Sequence, residues 1–192
     1  LTDAWELAVL SSKHHLAFAL AAGGWLGVGN DPTYNHSDCF NPFPFPDATE
    51  VQKSRLRALG EELDAHRKAQ AAARPKLTLT AVYNVLEKLR AGERIEGRDR
   101  ETYDQGLVGI LKGIHDRIDA AVAEAYGWPA DLGDEAILTH LVDLNRARAA
   151  EEASGLVRWL RPDYQNPAGR AAVAKGRQVE LDVGAAVDAA DK

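Results

Sequence analysis

Apolar residues recur at helical spacing along most of the chain. Between Thr2 and Leu20 the candidate core positions are Trp5, Val9, Leu16 and Leu20. Ser11-Ser12 interrupts them, and a Ser12 N-cap would divide the stretch into two helices that end at Gly23-Gly24. Leu56, Leu59, Leu63, His66 and Gln70 then step by 3, 4, 3 and 4, a stripe whose apolar character fades toward its end. Asp47 or Thr49 can cap that helix, Glu50 suits its first turn, and Pro75 stops it. Thr80 opens a shorter helix through Val82, Val85, Leu86 and Leu89, closed by Gly92.

Asp99 or Glu101 opens a long helix through Tyr103, Leu107, Ile110, Ile114, Ile118, Ala121 and Ala125. Its roughly 28 residues would span about 40 Å. Gly127 and Pro129 end it, and a last helix runs from Asp134 through Ile137, Leu141 and Leu144 into Trp159-Leu160. The pattern predicts a mainly α protein: a small helical bundle with long antiparallel helices, preceded by a turn-rich Pro/Phe segment with at most one or two short strands. One of these is expected at Trp25–Val28. The tail from Gly169 to Lys192 is rich in Ala and Gly and reads as a linker, with room for a short strand at Val179–Val183.

Residues 41–46 read Asn-Pro-Phe-Pro-Phe-Pro. Alternating prolines fix φ, remove backbone donors and favour an extended strip, which Phe43 and Phe45 can pin to a neighbouring surface. The same stretch admits a chemical reading. Adenine methyltransferases hold a flipped base with an Asn-Pro-Pro-Tyr type of motif, in which an aromatic ring stacks on the base. Here Phe43 displaces the second proline, and Asp31-Pro32-Thr33-Tyr34 is also one residue away from such a motif. Neither has a cofactor loop and alternating strands around it, so the reading as a rigid joint is preferred.

Composition narrows the classes of function. The net charge of -6 is opposite in sign to that of a strongly basic nucleic-acid module. The single cysteine, Cys39, excludes an internal disulfide framework and a Cys-rich zinc site, and points to a reducing cytoplasm. No apolar run approaches the ~18 residues of a membrane span, and Asp3 and Glu6 stand where a signal peptide would be basic. The chain begins Leu-Thr-Asp and contains no methionine, which is expected of a piece excised from a longer protein.

Adjacent His14 and His15 point to different sides of a helix and suit surface or packing roles better than a metal. His66, His115 and His140 lack ligand spacing, and Ser11-Ser12 has no base and acid nearby. One basic run stands out: Arg67, Lys68, Arg74 and Lys76 have no acid between them. Such a run can meet a phosphate backbone, or can simply be a solvated helix end. Arg158 and Arg161 flank Trp159, and Arg146 and Arg148 stand at pairing distance from Glu151 and Glu152.

Several stretches together resemble the C-terminal part of bacterial DNA methyltransferases of the MmeI-like type II restriction–modification group. They are LSSKHHLAFALAAGGWLGVGNDPTYNHSDCFNPFPFPD, LGEELDAHRKAQ, LTLTAVYNVLEKLRAGE, DQGLVGIL, HDRIDAAVAEAYGWPADL and RWLRPDYQNP, and they cover about residues 5 to 167. The resemblance implies that residues 1–46 are the trailing part of a target recognition domain ending in the Pro-Phe joint. Residues 47–167 would then be a helical bundle or spacer, and residues 168–192 a linker tail. It implies Lys13, His14, Asn30, Tyr34, Asn35 and His36 as candidate DNA-facing residues, beside the basic run Arg67, Lys68, Arg74 and Lys76. In that family arginine is frequent where Lys13 stands.

The family's catalytic and cofactor motifs have no counterpart here, so no catalytic, cofactor or metal residue is carried over. The implied parent would transfer a methyl group from S-adenosylmethionine to adenine in double-stranded DNA, its methyltransferase core lying in the same chain. Two other readings stay open: a helical protein-interaction module without DNA contact, favoured by the charge, and a self-contained enzyme, opposed by the missing cofactor loop.

Overall fold

A computed structural model describes residues 3–26, 31–160, 165, 166 and 168. Among these the chain is mainly helical, with a single two-stranded antiparallel ribbon. Helices α1 (Ala4–Leu10) and α2 (Lys13–Ala22) come first, followed by strands β1 (Gly24–Leu26) and β2 (Asp31–Thr33). A single π-helical turn, His36–Phe40, leads into the Pro-Phe strip. Helices α3 (Glu50–Ala73), α4 (Leu79–Arg90), α5 (Gly97–Gly106), α6 (Val108–Tyr126) and α7 (Asp134–Ala153) follow. Two compact units divide at Asn145, the first being Leu1–Asn145 and the second Arg146–Lys192.

Local chemistry accounts for most boundaries. The Ser12 side chain accepts from His15 N, so the serine pair does separate α1 from α2. Thr49, not Asp47, caps α3, in a reciprocal box with Gln52. Thr78, two residues earlier than expected, caps α4 because its hydroxyl reaches Ala81 N at 3.2 Å. At the end of α6, Gly127 takes φ 73°, and Trp128 N closes back on Ala123 O at 2.9 Å.

The first unit is built on α3. Helix α1 packs mainly against α3, and α3 against α6. The contact is close enough that a Cβ at Gly60 would lie 2.1 Å from Ala4 O, so only glycine fits that crossing. Leu56, Leu59 and Leu63 of the predicted stripe are buried, whereas His66 and Gln70 are half-buried. Val82, Val85 and Leu86 from α4, with Leu111, Ile114 and Ile118 from α6, complete the core.

The long helix expected from Asp99 to Ala125 is broken. Leu107 adopts φ 49° and ψ 45°, a left-handed conformation, and separates α5 from α6. Gly106, just before the break, allows a close approach to α4. A Cβ there would be 3.0 Å from the Val82 side chain, so the end of α5 is pressed onto α4 before the chain turns into α6. Helix α7 also stops short of Trp159: it ends at Ala153, and Gly155 turns the chain at φ 96°. In the second unit, Arg158 forks onto Glu151, with Nε and Nη2 at 2.6 and 2.9 Å from its carboxylate oxygens. The expected strand at Val179–Val183, the linker tail after 168 and Arg161 lie outside the described residues.

The Pro-Phe strip is pinned as its composition suggests. Phe43 and Phe45 are buried, as are Pro44 and Pro46. Phe43 packs edge-on to His15 and Phe18 of α2, with ring centroids 4.5 and 5.4 Å away. Phe45 meets Trp5 of α1 at 5.9 Å. Proline cannot donate, so the carbonyls are what need partners. Tyr126 Oη donates to Pro44 O at 2.8 Å, and Asn145 Nδ2 to Pro42 O at 3.0 Å.

Candidate nucleic-acid interface

The residues expected to face DNA from α2 and the ribbon are largely occupied by structural work. His14 is fully buried and lies against Tyr126 and Trp128, with ring centroids at 5.8 and 6.1 Å, so it does not face outward. Helix α2 carries its polar face inward here because the Tyr126–Trp128–His140 stack supplies an aromatic wall. Among the described residues neither His14 ring nitrogen has a hydrogen-bond partner, and burial lowers its pKa from 6.5 to about 4. Lys13 Nζ donates to the carbonyls of Ala130 and Leu132 at 2.9 and 3.0 Å, and Lys13 N to Asp119 Oδ1 at 2.7 Å. That lysine is held to the protein, not extended toward a phosphate.

Tyr34 is more than half exposed, and its hydroxyl lies 3.1 Å from His15 Nε2. Asn35 caps the π-helical turn: its side chain accepts from Asp38 N and donates to Asp38 Oδ2, both at 2.7 Å. His36 is exposed and stacks on Phe40 at 4.8 Å. Asn30 lies outside the described residues.

The two near-motifs also find structural places. Pro32 of Asp31-Pro32-Thr33-Tyr34 sits in β2 opposite Trp25. After Asn41-Pro42, Phe43 turns into the core and offers no face to a base. Gly23 ends α2 and Gly24 enters β1, so this glycine pair lies at a helix-to-strand turn.

The basic run separates into parts. Lys68 pairs with Asp64 at 2.6 Å, one turn earlier on α3, in an exposed bridge of small energetic weight. Arg67 turns inward. Arg74 and Lys76 line one open groove of roughly 570 Å³ between the α3–α4 turn and α5, and Arg98 lines it too. Arg74 Nη1 bonds Gln70 Oε1 at 3.0 Å and keeps further donors. Glu101 lines the same groove, so three cations and one carboxylate surround it, with Thr78, Thr102 and Gln105 as neutral polar groups. Arg98 was not anticipated, because 22 residues of chain separate it from Lys76 and only the α4–α5 packing brings it there.

A second constellation was also invisible in the sequence. Arg67 Nε donates to Tyr83 Oη at 2.9 Å, and Nη2 makes a second, shorter bond to the same oxygen. Tyr83 Oη lies 2.8 Å from His115 Nε2, and His115 Nδ1 lies 3.1 Å from Ser11 O. A carbonyl only accepts, so Nδ1 carries the proton. His115 Nε2 then accepts from Tyr83, whose oxygen accepts from Arg67. Burial, reinforced by the Arg90 and Arg67 charges, lowers the His115 pKa to about 4 and keeps this ring neutral. The groups of this relay come from three helices and the α1–α2 turn, at sequence separations no linear motif spans.

Among the described residues no cluster of His, Cys, Asp and Glu has the geometry to hold a metal ion. Comparison of the chain with models of protein families, with curated proteins and with solved structures finds no match.

Proposed function

We propose that the chain is the trailing edge of a target recognition domain and the helical spacer of a bacterial restriction–modification DNA methyltransferase. The spacer orients the recognition domain against the methyltransferase body of the same parent chain and adds contacts to double-stranded DNA. The parent transfers a methyl group from S-adenosylmethionine to the amino group of adenine, in the cytoplasm, where Cys39 stays a free thiol. No step of that transfer is assigned to residues of this chain. No helix among the described residues is long and apolar enough to cross a membrane.

The observation that carries the DNA contact is the groove with Arg74, Lys76 and Arg98 along its walls. Phosphate neutralisation needs cations gathered on one surface, and a net charge of -6 makes such a local concentration more telling. The Pro-Phe strip supports the spacer role, since it fixes the exit of the ribbon region onto α1, α2 and the end of α6.

Two measurements test this reading. The reading frame on the N-terminal side of Leu1 is expected to encode a glycine-rich cofactor loop and an Asn-Pro-Pro-Tyr type of motif. A frame without them removes the methyltransferase assignment. Separately, the chain should bind duplex DNA with an affinity that falls steeply with salt. The double charge reversal Lys76→Glu with Arg98→Glu should weaken binding at least ~10-fold and lower the salt slope by about 2. Binding that ignores salt, or a variant that binds like the parent sequence, would favour the interaction-module reading. The ribbon would then be the surface to examine, because Trp25 and Leu26 are 52 and 62% exposed there.

A further inference from the structure

A cleft of roughly 380 Å³ is lined by residues of α1, α2, α3, α4 and α6 and shares no lining residue with the cationic groove. Its volume falls in the range of small-molecule sites. Leu7 and Leu10 of α1 and Leu16 and Ala19 of α2 give it apolar lining. Arg67 of α3, Tyr83, Glu87 and Arg90 of α4 and His115 of α6 also line it, together with Tyr34 and His15.

The charges in this cleft are not evenly matched. Arg90 is balanced, with Asp119 at 3.2 Å and Glu87 at 3.8 Å. Lys13 spends its ammonium on two carbonyls. Arg67 is different: its bonds go to the Tyr83 phenol, and among the described residues it meets no carboxylate. A guanidinium is always charged, and this one is half-buried, so among the described residues the site lacks a counter-ion. The relay through Tyr83 and His115 to Ser11 O fixes the orientation of its fork. A held fork loses little conformational entropy when it binds a planar or tetrahedral anion.

We propose that this cleft binds a small amphiphilic anion, with a carboxylate or phosphate on Arg67 and an aromatic or branched aliphatic body against Leu7, Leu10 and Leu16. The acid group completes the charge of Arg67, and the body covers apolar surface, including Leu16, which is 44% exposed. Glu87 in the same lining disfavours ligands with a second negative charge. The proposal is independent of the DNA reading, since Arg67 and Leu16 do not line the cationic groove.

The test uses benzoate and phenyl phosphate as probes, with benzyl alcohol as the neutral analogue and inorganic phosphate as the anion without a body. Binding is followed by titration calorimetry and by the nuclear magnetic resonance shifts of the His115 ring. At least one aromatic anion is expected to bind saturably and to move the His115 signals. Benzyl alcohol and inorganic phosphate should bind at least ~10-fold more weakly, a difference of about 1.4 kcal/mol.

Arg67→Gln should weaken the aromatic anion by a similar factor. So should Leu16→Asp, an exposed position that leaves the core intact and sets a negative charge at the mouth. Arg94→Gln, at an exposed residue paired with Glu96, should bind like the unmodified chain. No saturable binding of either aromatic anion overturns the proposal. So does equal binding by the Arg67→Gln and Leu16→Asp variants, each checked for an unchanged melting curve. Inorganic phosphate binding as tightly as phenyl phosphate would remove the apolar half.

Discussion

The melting temperature of the protein is expected to fall steeply as the pH is lowered from about 6.5 toward 5, in a range where most carboxylates are still ionised. Three histidines account for this. His14, His15 and His115 are 0, 4 and 3% exposed, and burial lowers each pKa from 6.5 to about 4. An unfolded chain takes up these protons near pH 6.5, whereas the folded chain resists them until about pH 4. The unfolded state therefore binds more protons across that window, and stability drops as the pH falls through it. At pH 5 each histidine contributes a loss of about 2 kcal/mol, so the three together approach the stability of a typical domain.

The groups facing these rings do not cancel the effect. Lys13 stands beside His14, and Arg90 and Arg67 beside His115, and all three oppose protonation; at His115 the Ser11 carbonyl and then Asp116 favour it, but burial and the two arginines prevail. Asp119, whose carboxyl burial raises, works the other way and recovers part of the loss as it protonates. His14 gives the sharpest check, because among the described residues neither of its nitrogens has a partner to lose. His14→Leu should be close to neutral at pH 7.5 and stabilising by about 2 kcal/mol relative to the unmodified chain at pH 5. Parallel pH profiles for the two chains would show that His14 is not a buried neutral ring.

This histidine also marks where the sequence stops being legible. Helix positions were readable wherever local chemistry decides them. Examples are the serine cap at Ser12, the Leu56, Leu59, Leu63 stripe and the stop at Gly127-Pro129. The side of α2 that faces inward was not readable, since Tyr126 and Trp128, over a hundred residues away, decide it. The break at Leu107 was hidden for a related reason. Apolar spacing continues through Tyr103, Leu107, Ile110 and Ile114, whereas the close approach of Gly106 to Val82 beside the left-handed Leu107 is a matter of packing between distant segments. Of the candidate site, Arg74 and Lys76 could be found as neighbours in sequence, but Arg98 and the Arg67–Tyr83–His115 relay exist only through packing. Four cations between positions 67 and 76 without an intervening acid could be read as a phosphate contact or as a solvated helix end. A helix rotates by about 100° per residue, so Arg67 and Lys68 part company at once.

Phe43→Ala is expected to destabilise the first unit by about 3 to 5 kcal/mol, the range for deleting a buried phenylalanine ring. At 4% exposure the ring is the centre of an aromatic cluster, with His15, Phe18 and Phe45 all within 5.4 Å between centroids. Such edge-on pairs add to the burial term. The surroundings cannot close over the cavity easily. The flanking prolines hold the strip extended, and its carbonyls are tied to Tyr126 and Asn145. For a chain of this length the loss corresponds to a fall in melting temperature of roughly 10 °C.

Two milder variants separate the possible causes. Tyr126→Phe removes one hydrogen bond from the strip and should cost about 1 kcal/mol. Pro44→Ala acts mainly through the entropy of the unfolded chain and should also cost ~1 kcal/mol or less. If the strip were a loose tether between two bodies, all three changes would be equally mild. A large effect confined to Phe43 means that the strip is a wedge in the core. The angle at which the ribbon leaves the bundle is then set by aromatic packing, with proline stiffness as its support.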